Sequence, residues 1–196
     1  LSGEQLEKFS RPNVQKLSQK TKKFLWLDME MTGLDVEKEV IIEVAALVTD
    51  SDMNLLDTYE TVVNQPSTYL NAMDDWNKEH HTKSGLLAKI PKGKTPDVVE
   101  EELMAFIKKH WPKIEKKEDK PILCGNSIAQ DRLFLAKYFK SIADYLHYRQ
   151  LDVTSWKIIF NYKYNLKYEK KNSHRALDDI YESIEELKFY MKYIRS

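Results

Sequence analysis

Two almost unbroken apolar runs constrain this chain more than anything else in it. Phe24 to Met31 reads Phe-Leu-Trp-Leu-Asp-Met-Glu-Met, and Val40 to Val48 reads Val-Ile-Ile-Glu-Val-Ala-Ala-Leu-Val. Runs of this kind suggest strands buried on both faces of a sheet. The first run nevertheless holds two acids, Asp28 and Glu30, and the second holds Glu43. An acid pair two residues apart in an apolar strand is costly unless a cation offsets the desolvation. Glu43 is a further buried acid, assigned a structural role near that pair.

The rest of the chain supplies a frame for those strands. Gly33-Leu34-Asp35 breaks the first run, and Leu55 to Val63, richer in Thr, Tyr and Val, predicts a third strand. Residues 68–90 suggest short helices and loops. Pro96 to Trp111 predicts a helix with Pro near its start and Val98, Leu103, Phe106 and Ile107 at helical spacing. Lys113 to Lys120 is a solvated charged loop whose mixed signs argue against a phosphate track. Then come a short strand (Ile122 to Gly125), a helix (Ile128 to Phe139), a fifth strand (Tyr148 to Val153) with a helix after it, and a polar loop from Lys163 to Ser173. Asn172 or Ser173 caps a last helix running to about Ile194. Three strands followed by alternating helices and strands indicate an α/β fold with a mixed sheet. The expected organisation is a polar arm over residues 1–22, helical from about Glu4, and a single domain over 23–196.

Composition narrows the function. Lys+Arg and Asp+Glu both number 31 in 196 residues, so the net charge is zero. Proteins that wrap long nucleic acid carry a basic excess, so a nucleic-acid substrate here should be short or touched at few phosphates. Cys124 is the single cysteine, which rules out an intrachain disulfide and suits a reducing compartment. No apolar run approaches the ~20 residues of a transmembrane helix, and the first 23 residues lack the apolar stretch of a secretory signal. No membrane association is expected, and the expected localisation is cytoplasmic. The chain begins without Met, so a missing N-terminal targeting segment would make it mitochondrial.

Asp28 and Glu30 leave one face of their strand, because strand side chains alternate. They converge on one point above the sheet, while Leu25, Leu27 and Met29 fill the other face. All-oxygen ligands favour Mg²⁺ or Mn²⁺ over Zn²⁺. The last helix then chooses between adjacent acids. Its apolar stripe is Ala176, Ile180, Ile184, Leu187, Met191 and Ile194. At ~100° per residue, Asp178 points away from that stripe with Glu182 and Glu185. Asp179 lies at its flank, aimed toward the strand acids. His174 comes one turn earlier, near a helix N-terminus that favours the neutral, proton-accepting imidazole. Asp131 sits in the first turn of a helix that leaves a strand end, where ligand sites concentrate in α/β folds. Four carboxylates and one His fit a two-metal site for phosphodiester hydrolysis, with cations ~3.5–4 Å apart.

Asp-x-Glu on an early strand, a middle Asp, and His-x₄-Asp on a late helix resemble the DEDD exonucleases, in the branch with a catalytic His. The flanking blocks resemble the oligoribonuclease family: Trp26 to Asp35, Met73 to Asn77 with His81 and Ser84-Gly85-Leu86, Cys124 to Ile128 through Asp131-Arg132, His147-Tyr148-Arg149 with Leu151 to Val153, and His174 to Ile180. The resemblance covers about residues 23–194. It implies an RNase H-like five-stranded sheet flanked by helices, a homodimer, and two Mg²⁺ or Mn²⁺ ions per active site. The implied reaction is 3′→5′ removal of 5′-mononucleotides from very short RNA, especially dinucleotides. By position, Asp28, Glu30 and Asp179 would hold the metals, with Asp28 bridging. Asp131 would support the second ion directly or through water, and His174 would be the general base. Leu34 resembles the wedge between two bases and Trp76 a stacking wall. Ser127, His81, Tyr148 and Arg149 resemble the group that caps the 5′ phosphate, in part from the partner subunit. Read without the resemblance, Leu34 and Trp76 are loop packing and Tyr148 is strand core. The long charged loop at Lys113–Lys120 and the Tyr- and Lys-rich segment Lys163 to Asn172 depart from the family pattern, at places that bear on dimer contacts and the pocket rim. The alternatives are a related DEDD exonuclease acting on longer DNA or RNA 3′ ends, and an inactive RNA- or protein-binding scaffold. The second fits poorly with five intact catalytic positions.

Overall fold

In the computed structural model, which describes residues 22–169 and 175–194, the first apolar run becomes β1 (Lys23–Met31), the middle strand of a five-stranded sheet. β2 (Ile41–Asp50) and β3 (Leu55–Val62) extend the sheet on one side, both pairs antiparallel. β4 (Ile122–Gly125) and β5 (Gln150–Asp152) extend it on the other, both pairs parallel, so the sheet is mixed with order β3-β2-β1-β4-β5. The helices are α1 (Ser67–Ala72), α2 (Asp75–Lys83), α3 (Pro96–His110), α4 (Ala129–Tyr138), α5 (Lys140–Tyr145), α6 (Val153–Tyr164) and α7 (Ala176–Ile194). No helix among the described residues is long and apolar enough to cross a membrane.

Alternation along β1 divides the core in two. Leu25, Leu27, Met29 and Met31 pack with Val99, Leu103 and Ile107 of α3, Phe134 and Leu135 of α4, and Ile142 of α5. Trp26 faces the other way, with Ala45 and Leu47 of β2, Cys124 of β4, Phe160 of α6 and Ile180, Ile184, Leu187 and Tyr190 of α7. Each such aliphatic side chain contributes about 1.5–3 kcal/mol when fully buried. The Trp26 indole N–H is not stranded by this burial, because it donates to Thr49 Oγ1 at 3.1 Å. Gly125 permits the close approach of β4 to β1: a Cβ there would lie 2.9 Å from the Leu27 carbonyl oxygen.

Several boundaries differ from the sequence expectation. The third strand ends at Val62, with Val63 in an isolated bridge to Lys94. The fifth is only three residues, because Tyr148 and Arg149 precede it on a turn and Val153 already starts a helix. In α3 the buried position is Val99, and Val98 is exposed; the inward phase is Val99, Leu103, Ile107. In α7 the stripe ends on Tyr190, with Ile194 exposed. α6 runs on to Tyr164, where Asn165 closes it in a left-handed conformation. The N-terminal arm and the cap at Asn172 or Ser173 lie outside the described residues.

Candidate active site

The face of β1 that begins with Trp26 ends with Asp28 and Glu30, and α7 crosses that face. Asp28, Glu30 and Asp179 each present a carboxylate oxygen within 4.8 Å of the others, all three half-buried. Helix phase decides which acid of α7 takes part. Asp178 is exposed to solvent, and Asp179 is half-buried toward the sheet. Burial, followed by the charges of Asp179, Glu43 and Asp131, pushes the Glu30 carboxyl up to about 8, and Arg175 partly opposes them. Three carboxylates that repel one another in a half-buried pocket make a donor set that suits a hard divalent cation.

Asp131 lies outside this trio. It is buried, and its Oδ1 accepts the Met29 N–H at 3.1 Å, the amide between the two strand acids. Burial raises its pKa to about 7, and the Met29 amide pulls the other way. His174 is outside the described residues.

Glu43 turns out to be a keystone. It stands opposite Glu30 in the β1–β2 register, just before an irregularity between Glu30 and Met31. At 3% exposure its two oxygens accept from Arg175 Nε, at 3.0 and 3.1 Å, and Oε2 also accepts the Ala176 N–H at 3.2 Å. The first residue of α7 is thus tied to β2, and the Asp179 N–H donates to the Arg175 carbonyl at 3.0 Å. Sequence reading singled out Glu43 but not its partner Arg175, 132 residues away.

The residues expected to touch substrate separate into two groups. Leu34 is 75% exposed and Trp76 67% exposed, the latter stacked on His80 with ring centroids 4.7 Å apart. Ser127 is exposed in a left-handed conformation (φ 51°); its N–H donates to Asp152 Oδ1 at 3.0 Å and Thr154 Oγ1 at 2.8 Å. Thr154, which the sequence reading missed, also brings its hydroxyl 3.2 Å from that of Ser127. Tyr148 is 69% exposed, not strand core, with the Arg149 guanidinium 5.4 Å from its ring centroid. Arg132 holds their turn by donating to the His147 carbonyl at 2.9 Å. His81 is different. It is 1% exposed, and its Nε2 donates to the Met31 carbonyl at 3.0 Å. Burial lowers its pKa. Through the Met31 contact it buttresses the end of β1.

The Exonuclease family model matches residues 25–187. An oligoribonuclease of Francisella tularensis subsp. tularensis (strain WY96-3418) is 46% identical over 175 residues, which is 88% of this chain and 96% of that protein. An oligoribonuclease of Actinobacillus pleuropneumoniae serotype 5b (strain L20) is 48% identical over 171 residues, 85% of this chain and 90% of that one. Among solved structures, a zinc-bound E. coli exonuclease I–ssDNA complex aligns with a TM-score of 0.64 at 15% identity, over 86% of this chain and 40% of that one. E. coli exonuclease I with a dT13 oligonucleotide gives 0.64 at 12% identity, with the same coverage. This chain therefore spans about two-fifths of exonuclease I, and the likeness is one of fold, an RNase H-like sheet flanked by helices.

Proposed function

Because the chain belongs to the oligoribonuclease family of DEDD exonucleases and is a 3′→5′ exoribonuclease acting on short RNA, we propose that its preferred substrates are dinucleotides, cleaved to 5′-mononucleotides at the acid trio. The observation that carries this reading is the exposure of two large apolar side chains, Leu34 and Trp76, on elements flanking the acids. Leu34 follows β1 directly, and Trp76 lies on α2, which is fastened to the end of β1 through His81. Apolar walls at the site, on a chain of zero net charge, favour a substrate gripped by its bases over one held along many phosphates.

Family membership implies divalent metal ions, and the trio suits them. In this reading Asp28, Glu30 and Asp179 would hold two ions, Mg²⁺ or Mn²⁺, and Asp131 would support the metal site. When bound, such ions would supply Lewis-acid stabilisation of the charge that develops on the scissile phosphate. His174 takes the proton of the attacking water. The water oxygen bonds to phosphorus, the bond to the 3′ oxygen of the preceding nucleotide breaks, and a 5′-mononucleotide leaves. Leu34 separates the two bases, and Trp76 stacks on one, a contact typically worth ~1–3 kcal/mol. Ser127 and Arg149 hold the 5′ phosphate, Arg149 through its planar fork of donors. The active form is a homodimer in which Tyr148 and Arg149 reach the partner's site. The exposure of Tyr148, together with Ile158, Ile159 and Tyr162 on α6, supports such a contact.

Single-turnover cleavage of RNA chains from two to seven nucleotides long, with Mg²⁺, tests the reading. A steep preference for two nucleotides is expected. Equal rates for two and for seven nucleotides would instead indicate an enzyme of longer 3′ ends.

A further inference from the structure

Leu34 is an exposed side chain on a loop that is tied to helix α4 and to itself. Helix α4, about a hundred residues on, donates to three carbonyls of the loop between β1 and β2. Gln130 Nε2 donates to the Leu34 carbonyl at 2.6 Å, Lys137 Nζ to that of Val36 at 2.6 Å, and the Tyr138 hydroxyl to that of Glu39. The loop is also closed on itself. The Lys38 and Glu39 amides donate to the Asp35 carbonyl at 3.0 and 2.8 Å, and the Thr32 hydroxyl donates to the Glu39 carboxylate. The first turn of α4 has two further ties. The Gln130 N–H donates to the Ser127 carbonyl at 3.0 Å, and the neighbouring Asp131 accepts from Met29 between the strand acids. One helical turn therefore touches the loop of Leu34, the turn of Ser127 and the strand of Asp28 and Glu30.

We propose that Gln130 is a positioning residue which, with Lys137 and Tyr138, holds Leu34 at a fixed distance from the acids and from Ser127, and so sets the length of RNA the site accepts. The proposal rests on the reading of Leu34 as the wedge between two bases. An exposed leucine on a mobile loop would have to be ordered by each substrate, at an entropic cost that offsets its contact. A leucine whose backbone is already fixed avoids that cost. It contributes fully to the substrate whose bases fall on either side of it and obstructs a longer one. A neutral amide suits the task, since it supplies a directed donor without adding charge beside the acids.

The test compares Gln130→Met, which keeps side-chain length but loses the donor, with Leu34→Ala and with Lys137→Met at an exposed position. For each, KM and single-turnover rate are measured on two- and five-nucleotide RNA, with amide hydrogen exchange over residues 33–38. Gln130→Met is expected to speed exchange in the loop and to lower the two-over-five preference about tenfold, through KM for the dinucleotide, the scale of one lost hydrogen bond. Lys137→Met should act in the same direction and less. If Leu34→Ala lowers the preference while Gln130→Met leaves it unchanged, with or without faster exchange, the clamp is overturned and the wedge stands. If Leu34→Ala itself leaves the preference unchanged, the wedge reading fails and the clamp with it.

Discussion

The two faces of β1 are built from the same backbone at the same spacing, yet they are secured in opposite ways. One face carries Leu25, Leu27, Met29 and Met31 into a core shared with α3, α4 and α5. Many interchangeable contacts hold it, so any one residue shares its burden with neighbours. The other face starts in a core with Trp26 and ends in Asp28 and Glu30 beside Asp179. There the geometry depends on a few polar links: Glu43 with Arg175 and Ala176, and Asp131 with Met29. Packing alone fixes the strand, but the acids are aimed by directed bonds. The apolar face should therefore govern stability, and the acidic face turnover and metal binding.

The largest effect should come from the acidic face. Asp28→Ala should abolish turnover in a protein that still folds, and near-normal turnover by the variant would remove the acids from the chemistry. His174→Ala should slow the chemical step ~10²–10⁴-fold, the scale of a general base; an unchanged single-turnover rate would reduce His174 to a cap. Leu27→Ala, from the other face, should cost about 2–5 kcal/mol in urea unfolding while turnover per folded molecule stays near that of the parent. Arg175→Met bridges the faces. It should cost about 3 kcal/mol by leaving a buried carboxylate without its partner, and it should also slow turnover by releasing the start of α7. Stability loss with untouched turnover would confine the Glu43–Arg175 pair to the fold.

The smallest effect concerns pH. In the metal-free protein the Glu30 carboxyl lies at about 8, above its ordinary 4.5. Stability from its protonated form is therefore full below about pH 4.5 and lost as pH rises through about 8. Mg²⁺ needs the ionised form, so the rise in Tm caused by Mg²⁺ should be greater near pH 9 than near pH 6. An equal rise at both would separate Glu30 from the metal.

Much of this was legible in the sequence because it depends on local periodicity. Both apolar runs are strands, with Asp28 and Glu30 on one face, and the α7 stripe correctly set Asp179 toward the sheet and Asp178 toward solvent. What escaped depends on distant parts meeting. Arg175 finds Glu43 only because α7 lies across β2, and Gln130 finds Leu34 only because α4 packs under the β1–β2 loop. Thr154 joins Ser127 through a left-handed turn that no pattern announces. His81 turns its Nε2 to the Met31 carbonyl, a contact between α2 and the end of β1 that no local spacing announces. Val98 and Val99 are adjacent and equally apolar, so only the packing partners of α3 distinguish them.

The claim that one face of β1 and one acid of α7 form the metal site is tested most directly by titrating Mn²⁺ into Asp178→Asn and Asp179→Asn and following bound metal. Asp178→Asn should bind like the parent, and Asp179→Asn should lose most of its affinity. Retained binding in Asp179→Asn with loss in Asp178→Asn would contradict it.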